Sequence, residues 1–103
     1  MRRARVFVSG VPAGVFEELA LGGGYIFTYD SDQGDPVSLT MPRSSVTYRF
    51  TTFPSFFDGL LPEGAQLDAL LRHQKIDRND YFSQLLAVGQ DLVGNVSIAE
   101  IYA

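Results

Sequence analysis

The sequence contains no cysteine, and this absence excludes several kinds of site. Without thiols the chain forms neither a disulfide framework nor a thiolate metal site, and such a composition fits a reducing cytosol. The sequence has one histidine, His73, which cannot by itself supply the three or four ligands of a usual zinc centre. We therefore expect no bound metal, no cofactor and a cytoplasmic location.

Long apolar runs are missing as well. No stretch of the chain approaches the ~18 to 20 apolar residues that a membrane-spanning helix needs. The basic start of the chain, with Arg2, Arg3 and Arg5, leads into a strand pattern instead of the apolar centre of a signal peptide. We expect no membrane partner, and we interpret the arginines as the solvated start of an edge strand, with contact to an acidic partner as the alternative.

Positive charge is scarce: 8 Lys and Arg residues stand against 12 Asp and Glu residues, for a formal net charge of −4. Because an acidic surface repels phosphate backbones, we expect no direct contact with nucleic acid. Charged residues form only 19% of the chain and hydrophobic residues 46%, a balance typical of a folded globule. The 103 residues are predicted to form a single domain, 1–103, with one modest core.

The motifs of phosphoryl transfer are absent from the sequence. There is no His-Arg-Asp-type catalytic loop, no Asp-Phe-Gly motif and no strand lysine paired with a helix glutamate. The glycines at residues 22–24 lack the lysine that ends a phosphate-binding loop, so a turn between strands is predicted there. Asp58 and Glu63 are interpreted as acidic groups near helix starts, or as residues that form a salt bridge to a partner protein, and not as an acid-base pair. No catalytic residue is predicted.

The first half of the chain alternates apolar and polar residues with a period of two, which is the pattern of β-strands. In the first strand, Ala4, Val6 and Val8 are predicted to face the core. Further strands are predicted at residues 15–21, 25–29, 37–41, 46–51 and 93–101. The alternation is cleanest at residues 37–41.

From Pro54 the spacing of apolar residues changes toward that of helices. A first short helix is predicted with Ser55 as its cap and Pro62 as its end, since proline donates no backbone hydrogen bond. A second helix is predicted to carry the leucines of residues 67–71 and to end near Lys75.

A third helix is predicted to begin at Asp77 or Asn79, either of which is a favourable cap, and to end at Gly89 in a left-handed conformation. The predicted fold class is therefore α+β: a small antiparallel sheet or partial barrel of five or six short strands with two or three short helices.

Two stretches of the second half form a signature. The first reads Phe56-Phe57-Asp58-Gly59-Leu60-Leu61-Pro62-Glu63-Gly64. The second reads Leu85-Leu86-Ala87-Val88-Gly89-Gln90-Asp91-Leu92-Val93-Gly94-Asn95-Val96. In their order and spacing they resemble the amino-terminal subdomain of HipA-type serine/threonine kinases, the toxins of bacterial toxin-antitoxin modules.

The resemblance implies a small β-rich subdomain that packs beside a kinase core, and it carries over no catalytic residue. A subdomain that occurs as its own chain resembles the HipS-type antitoxins of HipBST modules, whose HipT-type kinase lacks this subdomain and is restrained by it in trans. We therefore expect a non-enzymatic antitoxin whose partner is a HipT-like kinase, with a HipB-like DNA-binding protein joining a ternary complex. A regulatory subdomain excised from a full-length HipA-type kinase, with no activity of its own, is the alternative.

The contact surface for the kinase is predicted in the kinked segment around Pro62. Such a turn presents apolar side chains at little ordering cost, and stable interfaces place aromatic and leucine anchors at their centre. The predicted partner-binding residues are Phe56, Phe57, Asp58, Leu60, Leu61, Pro62, Glu63, Gly64, Ala65 and Gln66. Because adjacent helical positions differ by about 100°, one of the two phenylalanines is expected in the core and the other at the partner.

Several alternatives stay open at the level of sequence. The residues are equally compatible with two modes of inhibition. In one, the turn region inserts near the nucleotide or substrate cleft of the kinase, and in the other the domain restrains the kinase lobes. Two rival classes of function remain. One is an enzyme of unknown type, which requires a polar pocket. The other is a DNA-binding antitoxin, which the acidic charge disfavours.

Overall fold

The computed structural model describes residues 2–20, 23–92 and 94–101. Its strands are β1 (Arg2–Val8), β2 (Val11–Glu18), β3 (Tyr25–Tyr29), β4 (Thr47–Phe50) and β5 (Val96–Glu100). Its helices are α1 (Ser55–Asp58), α2 (Gly64–Gln74) and α3 (Tyr81–Val88). The described strands form one sheet in the order β4-β3-β2-β1-β5, with antiparallel neighbours throughout. The predicted α+β fold class is confirmed.

The period-two pattern buries one face of the sheet. Ala4, Val6 and Val8 are buried as predicted, and the residues between them are half-buried on the opposite face. Strand β2 differs from its prediction at both ends, since it runs from Val11 to Glu18 instead of over residues 15–21. Leu21 and Val93, at the ends of two predicted strands, lie outside the described residues.

The turn predicted at residues 22–24 falls between β2 and β3, where the structure describes Gly23 and Gly24. The amide of Gly23 donates a hydrogen bond to the carbonyl of Ala20 at 2.7 Å, and Gly24 has a φ of +126°. Such a φ is readily adopted only by glycine, which explains why the turn is glycine-rich. Gly22 lies outside the described residues.

The core is built around the ring of Phe16 on β2. The ring of Phe57 from α1 stacks on it with centroids 4.1 Å apart, and the ring of Phe82 from α3 stacks at 5.4 Å. Tyr25 from β3 stacks at 5.7 Å. Stacked and edge-to-face aromatic pairs stabilise a core beyond the area they bury. One aromatic side chain of the sheet thus connects it to both α1 and α3.

The arginines near the N-terminus lie on a central strand. Because β1 lies between β2 and β5, the prediction of a solvated edge strand is wrong. Arg2 donates hydrogen bonds to Glu18 and to Asp80, each at 2.8 Å. Arg5 donates to Asp30 at 2.9 Å. These side chains are held by acidic residues distant in sequence, which a local pattern does not reveal.

Residues 37–41 have the cleanest alternation in the sequence, yet the strand predicted there is wrong. Ser38 and Met41 form only one isolated bridge across a turn. Val37 and Met41 are 6% and 3% exposed, whereas Leu39 between them is 94% exposed. The Tyr29 hydroxyl accepts a hydrogen bond from the Val37 amide at 3.0 Å and donates one to the Met41 carbonyl. A buried tyrosine therefore supplies the bonds that a neighbouring strand would have supplied.

The ends of α1 and α2 differ in part from their predictions. Helix α1 begins at Ser55, but Pro54 occupies the cap position and no side chain caps the helix, so the predicted Ser55 cap is wrong. The helix ends at Asp58, before Pro62 is reached. Helix α2 ends at Gln74, next to the predicted end near Lys75.

Helix α3 is capped by a residue other than the two predicted. Asp80 is the cap and accepts a hydrogen bond from the Ser83 amide, so the choice of Asp77 or Asn79 is wrong. Gly89 follows the helix with a φ of −57°, in the right-handed region, so the predicted left-handed termination is also wrong.

Candidate docking grooves

The segment that joins α1 to α2 forms one wall of an apolar groove. Leu60, Leu61 and Pro62 are half-buried there, and the opposite wall comes from the end of α3 and the turn after it. The groove has a volume of about 340 Å³. We call it the α1–α2 groove, and its lining residues are Gly59, Leu60, Leu61, Pro62, Gln66, Val88, Asp91 and Leu92.

Backbone hydrogen bonds hold this wall in place. The amide of Leu60 donates to the carbonyl of Phe57 and the amide of Leu61 to that of Asp58, each at 3.1 Å. At Gly64, where α2 begins, φ is +58°, a conformation that favours glycine. The leucines are therefore presented by a turn whose backbone is already ordered, which lowers the entropic cost of binding.

Of the two adjacent phenylalanines, Phe57 belongs to the core. It is 0% exposed and its ring stacks on Phe16, so the prediction that Phe57 contacts a partner is wrong. Phe56 is half-buried, with its ring edge-to-face against Phe57 at 5.2 Å. The expectation that one of the two rings lies in the core is confirmed.

Phe56 lines a second groove, which lies beside β4 and has a volume of about 520 Å³. We call it the β4 groove, and its apolar lining residues are Met41, Tyr48, Phe50, Phe53, Pro54 and Phe56. The ten predicted partner-binding residues therefore do not form one surface. The structure divides them between the core, two grooves and exposed positions.

The remaining predicted residues are polar or small and exposed. Asp58, Glu63, Gly64 and Ala65 are exposed, and neither carboxylate forms an ion pair with a described residue. Asp91, also exposed, lines the α1–α2 groove. Leucines in the groove are thus accompanied by acidic groups, which favours a basic surface as the complement.

The second signature stretch supplies the opposite wall of the α1–α2 groove, which was not predicted as part of the contact surface. Val88 and Leu92 are half-buried in the α1–α2 groove, about 30 residues after Leu60 and Leu61. The signal was present in the sequence, since both stretches belong to the same family signature. Only the packing of α3 onto the sheet brings them together.

The position of α3 depends on a charged cluster at its start. Arg2 donates to both Glu18 and Asp80, and Ser83 donates a 2.7 Å hydrogen bond from its hydroxyl to Asp80. Burial acts to raise the pKa of Asp80, but the hydrogen bonds from Arg2 and Ser83 outweigh it and hold the pKa below its ordinary value. The guanidinium of Arg2 also lies 5.1 Å from the centre of the Phe82 ring. These contacts fix the helix that carries one groove wall.

Two further observations concern the described residues alone. They include no group of three or more His, Asp or Glu side chains arranged to hold a metal ion. None of their helices has the length and apolar character needed to cross a membrane.

The described residues form a small α+β domain that carries two open grooves lined in part by apolar side chains. Residues 4–99 match the HipA N-terminal domain, and the chain belongs to this family. Over 101 residues it is 35% identical to an uncharacterized protein of Haemophilus influenzae strain Rd, with 97% of this chain and 93% of the relative covered. The predicted resemblance is confirmed.

A solved structure is also similar. The N-terminal domain of HipA toxin aligns with a TM-score of 0.76 and 29% identity, covering 99% of this chain and 94% of that chain. The similarity therefore extends over the whole sheet and all three described helices.

Proposed function

We propose that this protein is a HipS-like antitoxin that binds and neutralises a HipT-like serine/threonine kinase by non-covalent contact. The observation that carries the proposal is the α1–α2 groove, in which Leu60, Leu61 and Leu92 pack against the core but are not completely buried. A partner side chain in the groove would complete their burial, which is favourable by about 25 cal/mol per Å² of apolar surface.

The length of the Haemophilus relative supports the idea of a separate chain. The match covers 93% of that protein, so a relative of this size occurs without a kinase domain attached. A free inhibitor lacks the high effective concentration that a tether provides, so its interface must hold the kinase unaided. In this proposal the α1–α2 groove provides the apolar surface for such a contact.

Contact, and not catalysis, is the proposed mode of action. The matched family is the N-terminal domain of HipA, and the sequence contains none of the kinase motifs. Asp91 in the groove, and the exposed Asp58 and Glu63 next to its wall in sequence, would face basic groups on the kinase. In this proposal the complex forms in the cytoplasm, and a HipB-like protein supplies its contact with DNA.

The direct test is inhibition of the cognate HipT-like kinase by the purified protein. We expect autophosphorylation and target phosphorylation to fall as the protein is added in stoichiometric amounts. An unchanged phosphorylation rate with an excess of folded protein would overturn the proposal.

A matched pair of variants locates the contact. Gln66 and His73 are both exposed on α2, but only Gln66 lines the α1–α2 groove. Gln66→Trp places a bulky ring at the groove and is expected to weaken inhibition, whereas His73→Trp leaves it unchanged. Equal inhibition by both variants would exclude the α1–α2 groove as the contact.

A regulatory subdomain of a full-length HipA-type kinase is the second candidate, and the likeness to the N-terminal domain of HipA toxin favours it. An antibody against the domain separates the two in native cells. Our proposal predicts a band near 11.4 kDa, whereas the alternative predicts the band of a much longer polypeptide.

A further inference from the structure

The two edges of the sheet differ in whether their outward-pointing backbone groups are hydrogen-bonded. At the β5 edge, the amide of Ile98 donates to the carbonyl of Gly89 at 2.9 Å. The side-chain amide of Gln90 donates to the carbonyl of Ile98 at 2.8 Å. The turn after α3 thus forms hydrogen bonds with the outward N–H and C=O groups of Ile98 at the middle of β5. This edge is therefore not available to a further strand.

The β4 edge has no such cover. The amide of Tyr29 donates to the carbonyl of Val46, and hydrogen-bonded pairs alternate along an antiparallel ladder. The N–H and C=O groups of Thr47 and Arg49 therefore point away from β3. In the described part of the chain, no backbone hydrogen bond reaches these groups. An edge with free donors and acceptors is a template for another strand.

The side chains of β4 specify what kind of strand would fit. Tyr48 and Phe50 lie on the core side and line the β4 groove together with Phe53 and Phe56. Arg49 alternates with them along β4 and is also among the residues that line the groove. It is exposed and forms no ion pair with a described residue. A strand added here would place alternate side chains over the groove and beside a free cation.

We propose that the β4 edge binds an extended segment of a partner protein as an additional strand, and that this segment alternates apolar and acidic residues. The apolar residues enter the β4 groove, and an acidic residue pairs with Arg49 across the strands. The inference goes beyond the proposed antitoxin function, because the β4 groove is separate from the α1–α2 groove.

A second copy of this chain fits the edge less well than a foreign segment. Antiparallel pairing of two short β4 strands would bring both Arg49 side chains onto the same face within a few residues of each other. Like charges that face each other across strands are destabilising. The free charge on this edge thus favours an acidic partner over self-association.

The test uses the full-length protein and a blocked synthetic octapeptide that alternates valine and glutamate, followed by amide NMR. We expect the amide resonances of Thr47 and Arg49 to shift and their hydrogen exchange to slow. Two matched peptides serve as controls: one is N-methylated at alternate backbone positions, and the other has lysine in place of glutamate. Each is expected to bind about tenfold more weakly, the order of effect of a lost hydrogen bond or ion pair.

Two variants make the result specific. Thr47→Pro removes an outward N–H while Val46 keeps its bond to Tyr29, and proline is tolerated at strand edges, so binding is expected to weaken about tenfold. Arg49→Glu is expected to reverse the preference toward the lysine peptide, and this exposed substitution still tests the inference if Thr47→Pro fails to fold.

Three results would overturn the inference: unshifted Thr47 and Arg49 amides at millimolar peptide, equal binding of the N-methylated peptide, or an unchanged charge preference in Arg49→Glu. Analytical ultracentrifugation of the protein alone tests whether a second copy of this chain occupies the β4 edge. A dimer that Thr47→Pro disrupts would assign the edge to a second copy and would also overturn it.

Discussion

Gly89 and Ile98 are in direct backbone contact, and this contact joins the end of α3 to β5. A Cβ placed on Gly89 would lie 2.2 Å from the carbonyl oxygen of Ile98. The φ of Gly89 is −57°, which any residue adopts, so the close approach and not the backbone conformation requires glycine here. The same contact holds the turn that lines the α1–α2 groove.

Gly89→Ala is therefore expected to destabilise the protein. The added methyl group would push α3 away from β5, and overpacking of this kind typically costs about 1–3 kcal/mol. Urea unfolding followed by circular dichroism measures the difference.

Gly59→Ala is the matched control. Gly59 also follows a helix, its φ is −64°, and the nearest atoms to an added Cβ are carbonyl oxygens at 3.5 Å. We expect this variant to be unchanged or more stable by about 0.4–1 kcal/mol, because alanine restricts the unfolded chain. If the two substitutions had equal effects, the contact with Ile98 would not explain the requirement for glycine.

Phe57→Ala should remove the aromatic contact at the centre of the core. Phe57 is fully buried against Phe16, and deletion of a buried phenylalanine costs about 3–5 kcal/mol. Phe56→Ala, at a half-buried position, should cost of order 1 kcal/mol. Thermal unfolding compares the two, and a larger loss for Phe56→Ala would contradict the assignment of core and groove.

Stability should fall at acidic pH because of Asp80. Its folded pKa lies below the unfolded value, so the ionised carboxylate stabilises the fold. This contribution is fully present above the unfolded pKa of about 3.9 and is lost as the pH falls toward the lower folded pKa. Asp80→Asn should lower the free energy of unfolding at pH 7 by about 1.5–3 kcal/mol, the range for hydrogen bonds to charged groups, and flatten the acid dependence.

Asp68→Asn is the control for this measurement. Asp68 accepts a 2.6 Å hydrogen bond from Arg78, but both side chains are more than half exposed. Exposed pairs of this kind contribute about 0–1 kcal/mol. An equal loss at pH 7 in both variants would mean that the partial burial of Asp80 has no special effect.

The sequence predicted the parts of the fold that local periodicity determines. Ala4, Val6 and Val8 alternate because one face of β1 is buried, and this holds whichever strands are its neighbours. The same reasoning failed at residues 37–41, where the alternation is equally clear. There the buried hydroxyl of Tyr29 organises a turn, and no periodic pattern encodes a hydrogen bond from a residue eight positions earlier.

The candidate site was predictable only in part, for a similar reason. Leu60 and Leu61 were assigned from a short segment whose proline turn is visible in the sequence. The opposite wall, with Val88 and Leu92, depends on where α3 packs, and that position depends on the contact of Arg2 with Asp80 across 78 residues. Long-range ion pairs leave no periodic signal.

Tyr29→Phe should release the loop that joins β3 to β4. The lost hydroxyl would leave the Val37 amide and the Met41 carbonyl without their partner in a buried place, and an unsatisfied buried group costs about 1–3 kcal/mol. Hydrogen exchange at the Val37 amide should accelerate by more than the global loss of stability explains, because the loop would open locally.

Tyr48→Phe is the control, because it removes a tyrosine hydrogen bond that lies at the surface instead of in the core. The Tyr48 hydroxyl donates to the carbonyl of Pro42 at 2.5 Å, but that bond lies at the surface, where water replaces it. We expect little change in stability and none in exchange at Val37. Two results would contradict this account: continued protection of the Val37 amide in Tyr29→Phe, or equal loss of its protection in both variants. In either case the loop would be held by its apolar contacts, and the buried hydroxyl would not explain why this alternating sequence does not form a strand.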